Sequence, residues 1–373
     1  VMHSNTTFAS YLTTEAGVTC TIGVNMTVRG AGIIDGNQSG GIGGFVNNGA
    51  IIADDPEFLL LLTGDHTGSG LFGATDGSAL GLGQFADMVD CRFNTLGSGF
   101  VSVIDDADLF GGINDGLFII RSSGSLGFFE SFTNNGSITT DPGTTNHEDI
   151  FLGEGISILG DGAFVIDNAF GGFNGPSGLP ATFGPGQRIE GRADFDGVFV
   201  VEGDLAPMGD FDILGELTLT PTSRVDMVVG NSFAADDSEL DVDIDAVLSL
   251  AGELRVQFAD GYTPAANDSF RLVSGEVGTE ILGSFDTLTL PTPPPGLLYE
   301  INEETYGIYL DIIEDTSVCQ ADLTGDGVLD FFDVSAFLSA FTAMDPAADF
   351  DGNGVFDFFD VSAFLGAFSG GCP

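Results

Sequence analysis

Two acidic loops near the end of the chain carry the residues best suited to chemistry. Residues 322–333 read DLTGDGVLDFFD, and residues 349–360 read DFDGNGVFDFFD. Both loops place oxygen-bearing side chains at positions 1, 3, 5, 9 and 12, and both have a glycine at position 6. Calcium takes six to eight oxygen ligands, and this glycine allows the sharp turn that wraps a short loop around the ion. The spacing therefore predicts two calcium sites.

Each loop is followed by an apolar pattern of helical period. The apolar residues recur at i, i+3, i+4 and i+7, which places them on one face of a helix. They are Val334, Phe337, Leu338 and Phe341 after the first loop, and Val361, Phe364, Leu365 and Phe368 after the second. The pattern predicts two helices whose apolar faces form the core of a small module. No helix pattern precedes the first loop, because residues 318–321 are too few.

This duplicated loop-then-helix unit, with Asp instead of Glu at position 12, resembles a dockerin domain. It is most similar to the cysteine-flanked dockerin-like modules that end many secreted planctomycete proteins, and the resemblance covers residues 319–373. Thr324 departs from the usual Asn or Asp, which predicts a weaker first site. The alternative is an acidic pair of turns and helices that binds no ion. The resemblance implies two Ca²⁺ sites, one formed by Asp322, Thr324, Asp326, Asp330, Asp333 and the Val328 carbonyl, the other by Asp349, Asp351, Asn353, Asp357, Asp360 and the Val355 carbonyl.

Two pairs of phenylalanines occupy loop positions 10 and 11, just before each predicted helix. They are Phe331 with Phe332 and Phe358 with Phe359. In dockerins these positions help to select the protein partner. Adjacent residues cannot both face one small core, so we expect part of each pair to be exposed and to form an interface; burial in the module core is the alternative. The expected partner is another copy of the chain or a cohesin-like receptor, with a slight preference for self-assembly.

The chain has four cysteines, of which two lie in the first hundred residues and two flank the C-terminal duplication. Cys319 and Cys372 bracket the duplication, and because dockerins bring their two ends together, the resemblance implies a disulfide between them. Free thiols would be unusual in a secreted chain. Cys20 and Cys91 either form a second disulfide or make the total number of cysteines even only by chance.

The amino-acid composition limits which binding partners and which cellular location are expected. The formal net charge is −48, with eight Arg and no Lys, which excludes nucleic acid and anionic membranes. A hydrophobic share of 43% and a positive mean hydropathy exclude disorder. The sequence contains no run of eighteen apolar residues, so no membrane-spanning helix is predicted. Because no charged and apolar leader opens the chain, we expect a mature extracellular or cell-surface protein.

The first 315 residues show short apolar runs separated by turn residues. FVNNGAI at 45–51 recurs as FTNNGSI at 132–138, with further variants at 113–119 and 195–200. In each, a turn tolerant of positive φ precedes a strand, and turn signals recur roughly every twenty residues in places, as in the coils of a solenoid. Residues 188–229 resemble the autotransporter-associated β-strand repeat, whose family is a right-handed β-helix, although the usual Pro-Gly turn after Pro207 is missing.

We therefore predict a mainly β fold. A right-handed β-solenoid with a core of Phe, Val, Ile and Leu spans residues 1–230, and the all-α calcium module spans 319–373. Residues 231–315 form a β-rich cap or a second β domain, since they resemble the C-terminal cap of bacterial surface β-helices. An independent β-sandwich is the alternative for this segment.

The residues give little support for an enzyme. Histidines occur only at His3, His66 and His147, and His66 lies in TGDHTG, which reads as a turn. No motif of a known nucleophile, zinc or phosphate site is present, and the chain lacks Trp. A catalytic carboxylate pair cannot be selected from 56 acidic residues.

The favoured function is a non-enzymatic structural or adhesive surface protein that docks or self-assembles, including into filaments, through its calcium-dependent module. One alternative is a polysaccharide-degrading β-helix enzyme anchored by the module, and a groove with both basic and acidic residues would favour it. A glycan- or ion-binding module without catalysis is the other alternative.

Overall fold

The computed structural model describes residues 11–15, 17–36, 44–83, 85–121, 124–141, 148–230, 237–315 and 319–371. This part of the chain is mainly β with two helices near the C-terminus, so the predicted fold class is confirmed at that level. No helix in these ranges is long and apolar enough to cross a membrane.

The first half of the chain consists of short strands, most of four or five residues. They are β1 (Tyr11–Thr13), β2 (Thr19–Ile22), β3 (Thr27–Gly30), β4 (Gly32–Gly36), β5 (Gly44–Asn47), β6 (Ala50–Ala53), β7 (Leu60–Gly64), β8 (His66–Thr67), β9 (Leu71–Ala74), β10 (Ala79–Leu82), β11 (Ala86–Val89), β12 (Arg92–Thr95), β13 (Phe100–Val103), β14 (Ala107–Phe110), β15 (Ile113–Asn114), β16 (Leu117–Ile120), β17 (Ser125–Phe128), β18 (Phe132–Asn134), β19 (Ser137–Thr140), β20 (Asp149–Leu152) and β21 (Ser157–Leu159).

Longer strands alternate with short ones in the second half. They are β22 (Ala163–Asn174), β23 (Ala181–Phe183), β24 (Arg188–Asp196), β25 (Val198–Val201), β26 (Asp204–Ile213), β27 (Glu216–Leu219), β28 (Arg224–Val229), β29 (Glu239–Val242), β30 (Val247–Leu250), β31 (Glu253–Phe258), β32 (Ser269–Gly275), β33 (Glu280–Gly283), β34 (Thr287–Thr289), β35 (Leu297–Glu304) and β36 (Gly307–Glu314).

Pairing between the strands is parallel and regular. Each strand from β1 to β19 pairs with the strand three places later in the chain, as β7 does with β10 and β10 with β13. Leu60 lies opposite Leu80, and Leu80 lies opposite Val101, so equivalent positions recur about every twenty residues. The strands thus form three columns, which begin at β1, β2 and β3. The first two columns belong to one sheet and the third belongs to another.

Parallel pairing continues beyond residue 230. β26 pairs with β29, and β28 pairs with β31 over six residue pairs. The chain divides into two compact units: the first comprises Val1–Tyr262, Phe270–Pro291 and Glu303–Tyr309, and the second comprises Thr263–Ser269, Thr292–Asn302 and Leu310–Pro373.

The core of the first unit is filled by the apolar residue types that the sequence predicts. Leu60, Leu80 and Val101 are fully buried at one register position. The largest fully buried side chains are all phenylalanines, and their rings contact each other between neighbouring strands, as Phe72 and Phe93 do at 5.8 Å between ring centroids. Burial of each such side chain stabilises the fold by about 1.5–3 kcal/mol.

Buried amides accompany this apolar core at the turns. The first Asn of the NNG and NDG motifs points inside at Asn47, Asn114 and Asn134, each with no exposed surface. Asn114 Nδ2 donates to Asn134 Oδ1 at 2.9 Å, and Gln187 Nε2 donates to the Asn134 carbonyl at 2.8 Å. The motif glycines permit close backbone approach, because a Cβ at Gly136 would collide with the Gly116 carbonyl oxygen. In these motifs close approach, more than positive φ, explains the glycine.

His66 does not lie in a turn, contrary to the prediction. It forms β8 with Thr67 and is fully buried, stacked on Phe45 at 5.6 Å with its edge near Phe72 at 6.1 Å. Nε2 donates to the Thr63 carbonyl at 3.1 Å in the tautomer that this contact requires. Burial lowers the pKa of His66 to about 4. His3 and His147 lie outside the described residues.

Cys20 and Cys91 are free thiols, so the second predicted bridge is absent. Cys20 lies on β2, whereas Cys91 follows β11, three parallel pairings further along the same column. Strands lie about 4.8 Å apart, so the separation is roughly 14 Å, whereas a disulfide needs Cα atoms within about 7 Å. Cys91 is buried beside the Val89 carbonyl, and burial raises the pKa of its thiol.

The C-terminal part of the second unit contains two thirteen-residue helices, α1 (Phe331–Ala343) and α2 (Phe358–Gly370), with a 3₁₀ turn at Pro346–Ala348 between them. Phe337 and Phe364 are buried and stack face to face at 4.1 Å, with Phe341 and Phe368 packed around them. Leu338 and Leu365 are about half exposed and do not join this core as predicted. Two helices that pack only against each other bury a narrow strip of each helix surface. Leu338 and Leu365, at the i+4 positions, lie outside that strip.

Candidate functional site

Two aspartates in each loop fix the start of the following helix. Asp330 caps α1 by accepting the Phe332 N–H at 2.7 Å, and Asp333 accepts the Asp330 N–H at 2.9 Å in return. Asp357 and Asp360 repeat the arrangement at α2. Such a capping box satisfies backbone donors that a helix N-terminus leaves unpaired. Each Phe pair therefore forms the first two residues of a helix, instead of preceding the helix as predicted.

The second loop gathers three carboxylates. Ligand atoms of Asp349, Asp351 and Asp360 all lie within 4.8 Å of one another. Asp349 Oδ2 accepts the Gly354 N–H at 2.9 Å, but Oδ1 is buried and has no hydrogen-bond partner among the described residues. Leaving a buried carboxylate oxygen without a partner is costly. A hard cation bound by these three residues would satisfy that oxygen, so the donor set fits calcium.

Asp360 is the most deeply placed of the three. It is buried and accepts N–H groups from Phe350 and Asp357, both at 2.8 Å. These backbone hydrogen bonds, with that of Asp357 the largest contribution, lower the pKa of its carboxyl. Asp360 is therefore held as an anion, which is the form that binds metal.

The remaining predicted side-chain ligands of the second loop make local contacts. Asn353 Oδ1 accepts the Val355 N–H at 2.7 Å, and its Nδ2 donates to Asp351 Oδ2 at 2.8 Å. Asp357 caps α2 and does not belong to the carboxylate group. The glycine at position 6 has the predicted left-handed backbone in both loops, with φ of 78° at Gly327 and 76° at Gly354.

The first loop is arranged differently. Its carboxylates form no group of three within the described residues. Asp322 accepts the N–H groups of Gly325 and Gly327 at 2.8 and 2.7 Å. Asp333 Oδ1 accepts both the N–H and the hydroxyl of Thr324 at 3.0 Å. Thr324 supplies a hydroxyl where the second loop has the carboxylate of Asp351, which accounts for the difference. Asp326 Oδ1 accepts the Val328 N–H at 2.9 Å.

The two Phe pairs are exposed. The exposed fractions are 76% for Phe331 and 66% for Phe332, and 76% and 65% for Phe358 and Phe359. Within each pair the rings meet edge to face at 6.4 Å. The two loop-and-helix repeats therefore expose the same pair of rings. Phe331, Phe332, Phe358 and Phe359 together are termed the Phe-pair surface. The alternative, burial in the module core, is wrong.

Cys319 is disulfide-bonded, as the resemblance implies. Cys372, its expected partner, lies outside the described residues.

The sequence did not single out an acidic sheet face in the first unit. Asp194 lies opposite Asp212, and Asp212 lies opposite Asp241, so three carboxylates are stacked in register on β24, β26 and β29. Burial, and then the nearby Asp194, Asp241 and Asp210, raise the pKa of Asp212 to about 6. The recurring Asp-Phe-Asp at 194–196 and 210–212 is a signal, but only the register brings these residues together.

Three of the eight arginines cluster on neighbouring strands. Arg188 and Arg224 both contact Asp226 at 3.0 Å, and Arg255 contacts Glu253 at 3.3 Å. Glu190 and Asp204 complete the cluster. Each guanidinium is paired with carboxylates, which is the arrangement of a structural ion-pair network.

Comparison with known proteins adds no relative. No family model matches the chain, and no curated protein is similar to it, so the resemblances to dockerins and to autotransporter-associated repeats have no independent support.

Proposed function

We propose that this chain is an extracellular docking protein. Its C-terminal module binds calcium and presents the Phe-pair surface to a partner protein, and its parallel β part is a right-handed β-solenoid that carries the module. The exposure of Phe331, Phe332, Phe358 and Phe359 is the observation on which the docking proposal rests.

The energetics of the Phe pairs favour docking. The module has its own apolar core, and the four exposed Phe rings are not among the residues that form it or pack against it. Burial against a partner would stabilise the complex by about 1.5–3 kcal/mol for each ring. Engagement of half the rings would contribute a substantial part of the roughly 8 kcal/mol that a micromolar complex needs.

Calcium supports this surface by holding the module together. Residues 319–373 contain nine Asp and no Lys or Arg, so no cationic side chain of the module offsets the repulsion. The cation would be held by Asp349, Asp351 and Asp360, and its binding free energy would add to the folding of the module. Because α2 starts three residues after Val355, order in the loop fixes the position of Phe358 and Phe359.

The charge of the module indicates which partner it fits. A second copy would bring an equally acidic surface to the interface, and the two would repel. A separate receptor with an apolar groove and basic side chains at its rim complements both the rings and the carboxylates. We therefore favour such a receptor over self-assembly.

The register of the β part supports the solenoid proposal. From β1 to β19, each strand pairs in parallel with the third strand after it, at steps of about twenty residues, which is what successive coils of three strands produce. The buried Asn and Gln side chains at successive turns are a further repeated feature of stacked coils.

The test is binding to the surface and secreted proteins of the source organism, with crosslinking to identify the bound protein. We expect one saturable, calcium-dependent complex with the wild-type chain. The variant in which Phe331, Phe332, Phe358 and Phe359 are all replaced by Ser should lose it. A matched variant with four other exposed apolar residues changed to Ser, at Leu159, Leu179, Val277 and Leu282, should retain it. Retention by the Phe variant, or equal calcium-dependent self-association, would contradict the proposal.

The arginine cluster is the one observation that favours a polysaccharide-degrading enzyme instead. Arg188, Arg224 and Arg255 alternate with acidic residues on one sheet, which is the mixed basic and acidic surface expected for that alternative. Activity on acidic polysaccharides that disappears in Arg224→Gln, while the unfolding midpoint is unchanged, would establish it. A lower midpoint with no activity in the wild type would assign the cluster to stability.

A further inference from the structure

Aromatic rings lie on the outer face of the second strand column, within the first unit. Phe110 and Phe129 stack at 5.5 Å between centroids with an angle of 26° between their planes. Phe129 is 45% exposed, and Phe151, on the next strand, is 40% exposed. Phe110, Phe129 and Phe151, which we term the aromatic platform, lie on β14, directly after β17 and on β20, and they are not among the buried core residues.

Glycines open the space around the central ring. A Cβ at Gly127 would lie 2.5 Å from the Phe129 ring and 2.5 Å from Asp108 Oδ1, so the ring lies over this glycine beside the carboxylate. Gly127 is also the register partner of Phe151. Phe128 pairs with Leu152, so the next residue along the neighbouring strand, beside Phe129, is Gly153. Gly153 has no side chain that could cover the second face of the Phe129 ring.

Carboxylates flank the platform on the same outer face. Asp87 lies opposite Asp108, which in turn lies opposite Gly127. Asp149 precedes Phe151 by two residues, so both point outward from β20. Burial and the proximity of Asp87 raise the pKa of Asp108. A ligand with positive charge would relieve this repulsion.

The face continues into two clefts. The first, of about 220 Å³, is lined by Asp149, Asn174, Asp194 and Asp196. The second, of about 240 Å³, is lined by Asp212, Asp241, Asp243 and Glu276. Both provide hydrogen-bond acceptors, and they extend the face across successive strands of one sheet. An extended polymer could therefore contact the platform and the clefts together.

We propose that this face binds a glycan chain that carries amino groups. Exposed rings stack against the apolar faces of sugars, the clefts accept hydrogen bonds from hydroxyls, and the flanking aspartates pair with ammonium groups. The charge of the face excludes uronic-acid polymers. This site is independent of the docking proposal.

The test uses a glucosamine hexamer as the probe, with calorimetry at physiological salt so that general attraction to the acidic chain is screened. Phe129→Ala combined with Phe151→Ala leaves the charge unchanged and should weaken binding about tenfold, since two stacking contacts are lost. Leu159→Ala, an equally exposed apolar residue on the other sheet, should have no effect. Asp87→Asn with Asp108→Asn should weaken binding and reduce its salt dependence.

Two further probes separate the ligand classes. The N-acetylated hexamer should bind at least tenfold more weakly if the amino groups are recognised, and a lysine hexamer should bind without dependence on the Phe residues. Equal binding of the acetylated hexamer, loss of lysine-hexamer binding in the Phe variant, or glucosamine binding that is the same in wild type and Phe variant would overturn the proposal. The unfolding midpoint of each variant shows that a loss of binding does not reflect unfolding.

Discussion

At the scale of single residues, the buried histidine makes the fold sensitive to acid. The pKa of His66 is about 4 in the folded chain and about 6.5 in an unfolded one, because burial disfavours the imidazolium. The unfolded chain therefore binds the proton first as pH falls. The stability that depends on neutral His66 is complete above pH 6.5 and is lost towards pH 4, by about 3 kcal/mol.

The measurement is urea unfolding of the wild type and His66→Phe at pH 7.0, 5.5 and 4.5. Phe continues the ring stack between Phe45 and Phe72 and cannot be protonated. We expect the variant to lose less stability between pH 7.0 and pH 4.5 than the wild type. An identical pH dependence in both chains would show that His66 is not the titrating group.

Asp212 acts with the opposite sign. Burial and the neighbouring carboxylates raise its pKa to about 6, so the folded chain holds the proton more tightly than the unfolded one. Stability is greatest below pH 4 and falls as pH rises through 6. Asp212→Asn should therefore be more stable than the wild type at pH 7, by about 1 kcal/mol once solvent screening of this partly buried group is included.

The same unfolding series checks this, with Asp260→Asn, at an exposed carboxylate, as the control. The advantage of Asp212→Asn should disappear at pH 4. A variant that is less stable than the wild type at pH 7 would contradict the assignment of repulsion to the Asp194, Asp212 and Asp241 column.

At the scale of the element, the buried amides at the turns tie successive strands together. Asn134 accepts from Asn114 and donates to Gln187 Oε1 at 3.2 Å. Asn134→Ala leaves both partners buried without their hydrogen bonds, which should lower the free energy of unfolding by about 3 kcal/mol. Thr133→Ala, on the outward side of the same strand, should change it by less than about 1 kcal/mol. Equal effects of the two changes in urea unfolding would show that the amide contacts add nothing.

The sequence predicts elements of this kind well where a short-range pattern decides them. The helices after the two acidic loops follow from a strong apolar period, and the apolar runs between turn residues predict strands. Leu338 and Leu365 were misplaced because periodicity gives a face but not how much of it two helices can cover. His66 was misplaced because a two-residue strand between glycines has too little pattern to separate it from a turn.

Long-range register was beyond the sequence pattern. The column of Asp194, Asp212 and Asp241 and the platform of Phe110, Phe129 and Phe151 each join residues from three strands. A shift of one residue in any strand would move its side chain to the other face. In the C-terminal module the spacing in the sequence was enough to single out Asp349, Asp351 and Asp360, because one loop carries all three. That they bind calcium stays a prediction. Only the second loop brings three carboxylates together. The first loop differs because it has Thr324 at the position of Asp351, a difference of one side chain.

At the scale of the whole molecule, the proposal is that calcium couples the acidic loops to the Phe-pair surface. The carboxylate group of Asp349, Asp351 and Asp360 leads directly into α2 through the capping box, and Phe358 and Phe359 form the first turn of that helix. Loss of the cation should release the helix start and the stack of Phe337 on Phe364. The module should then fold only when calcium is bound.

The most direct test is hydrogen exchange across residues 319–371 of the full chain, with calcium and with chelator. We predict that calcium slows exchange in α1 and α2, and that Asp349→Asn with Asp351→Asn abolishes this protection while strands β10–β20 exchange as in the wild type. Asp345→Asn, which caps the neighbouring 3₁₀ turn, is the matched control and should keep the calcium effect. Equal protection of both helices in calcium and in chelator would contradict the central claim that calcium organises the docking surface.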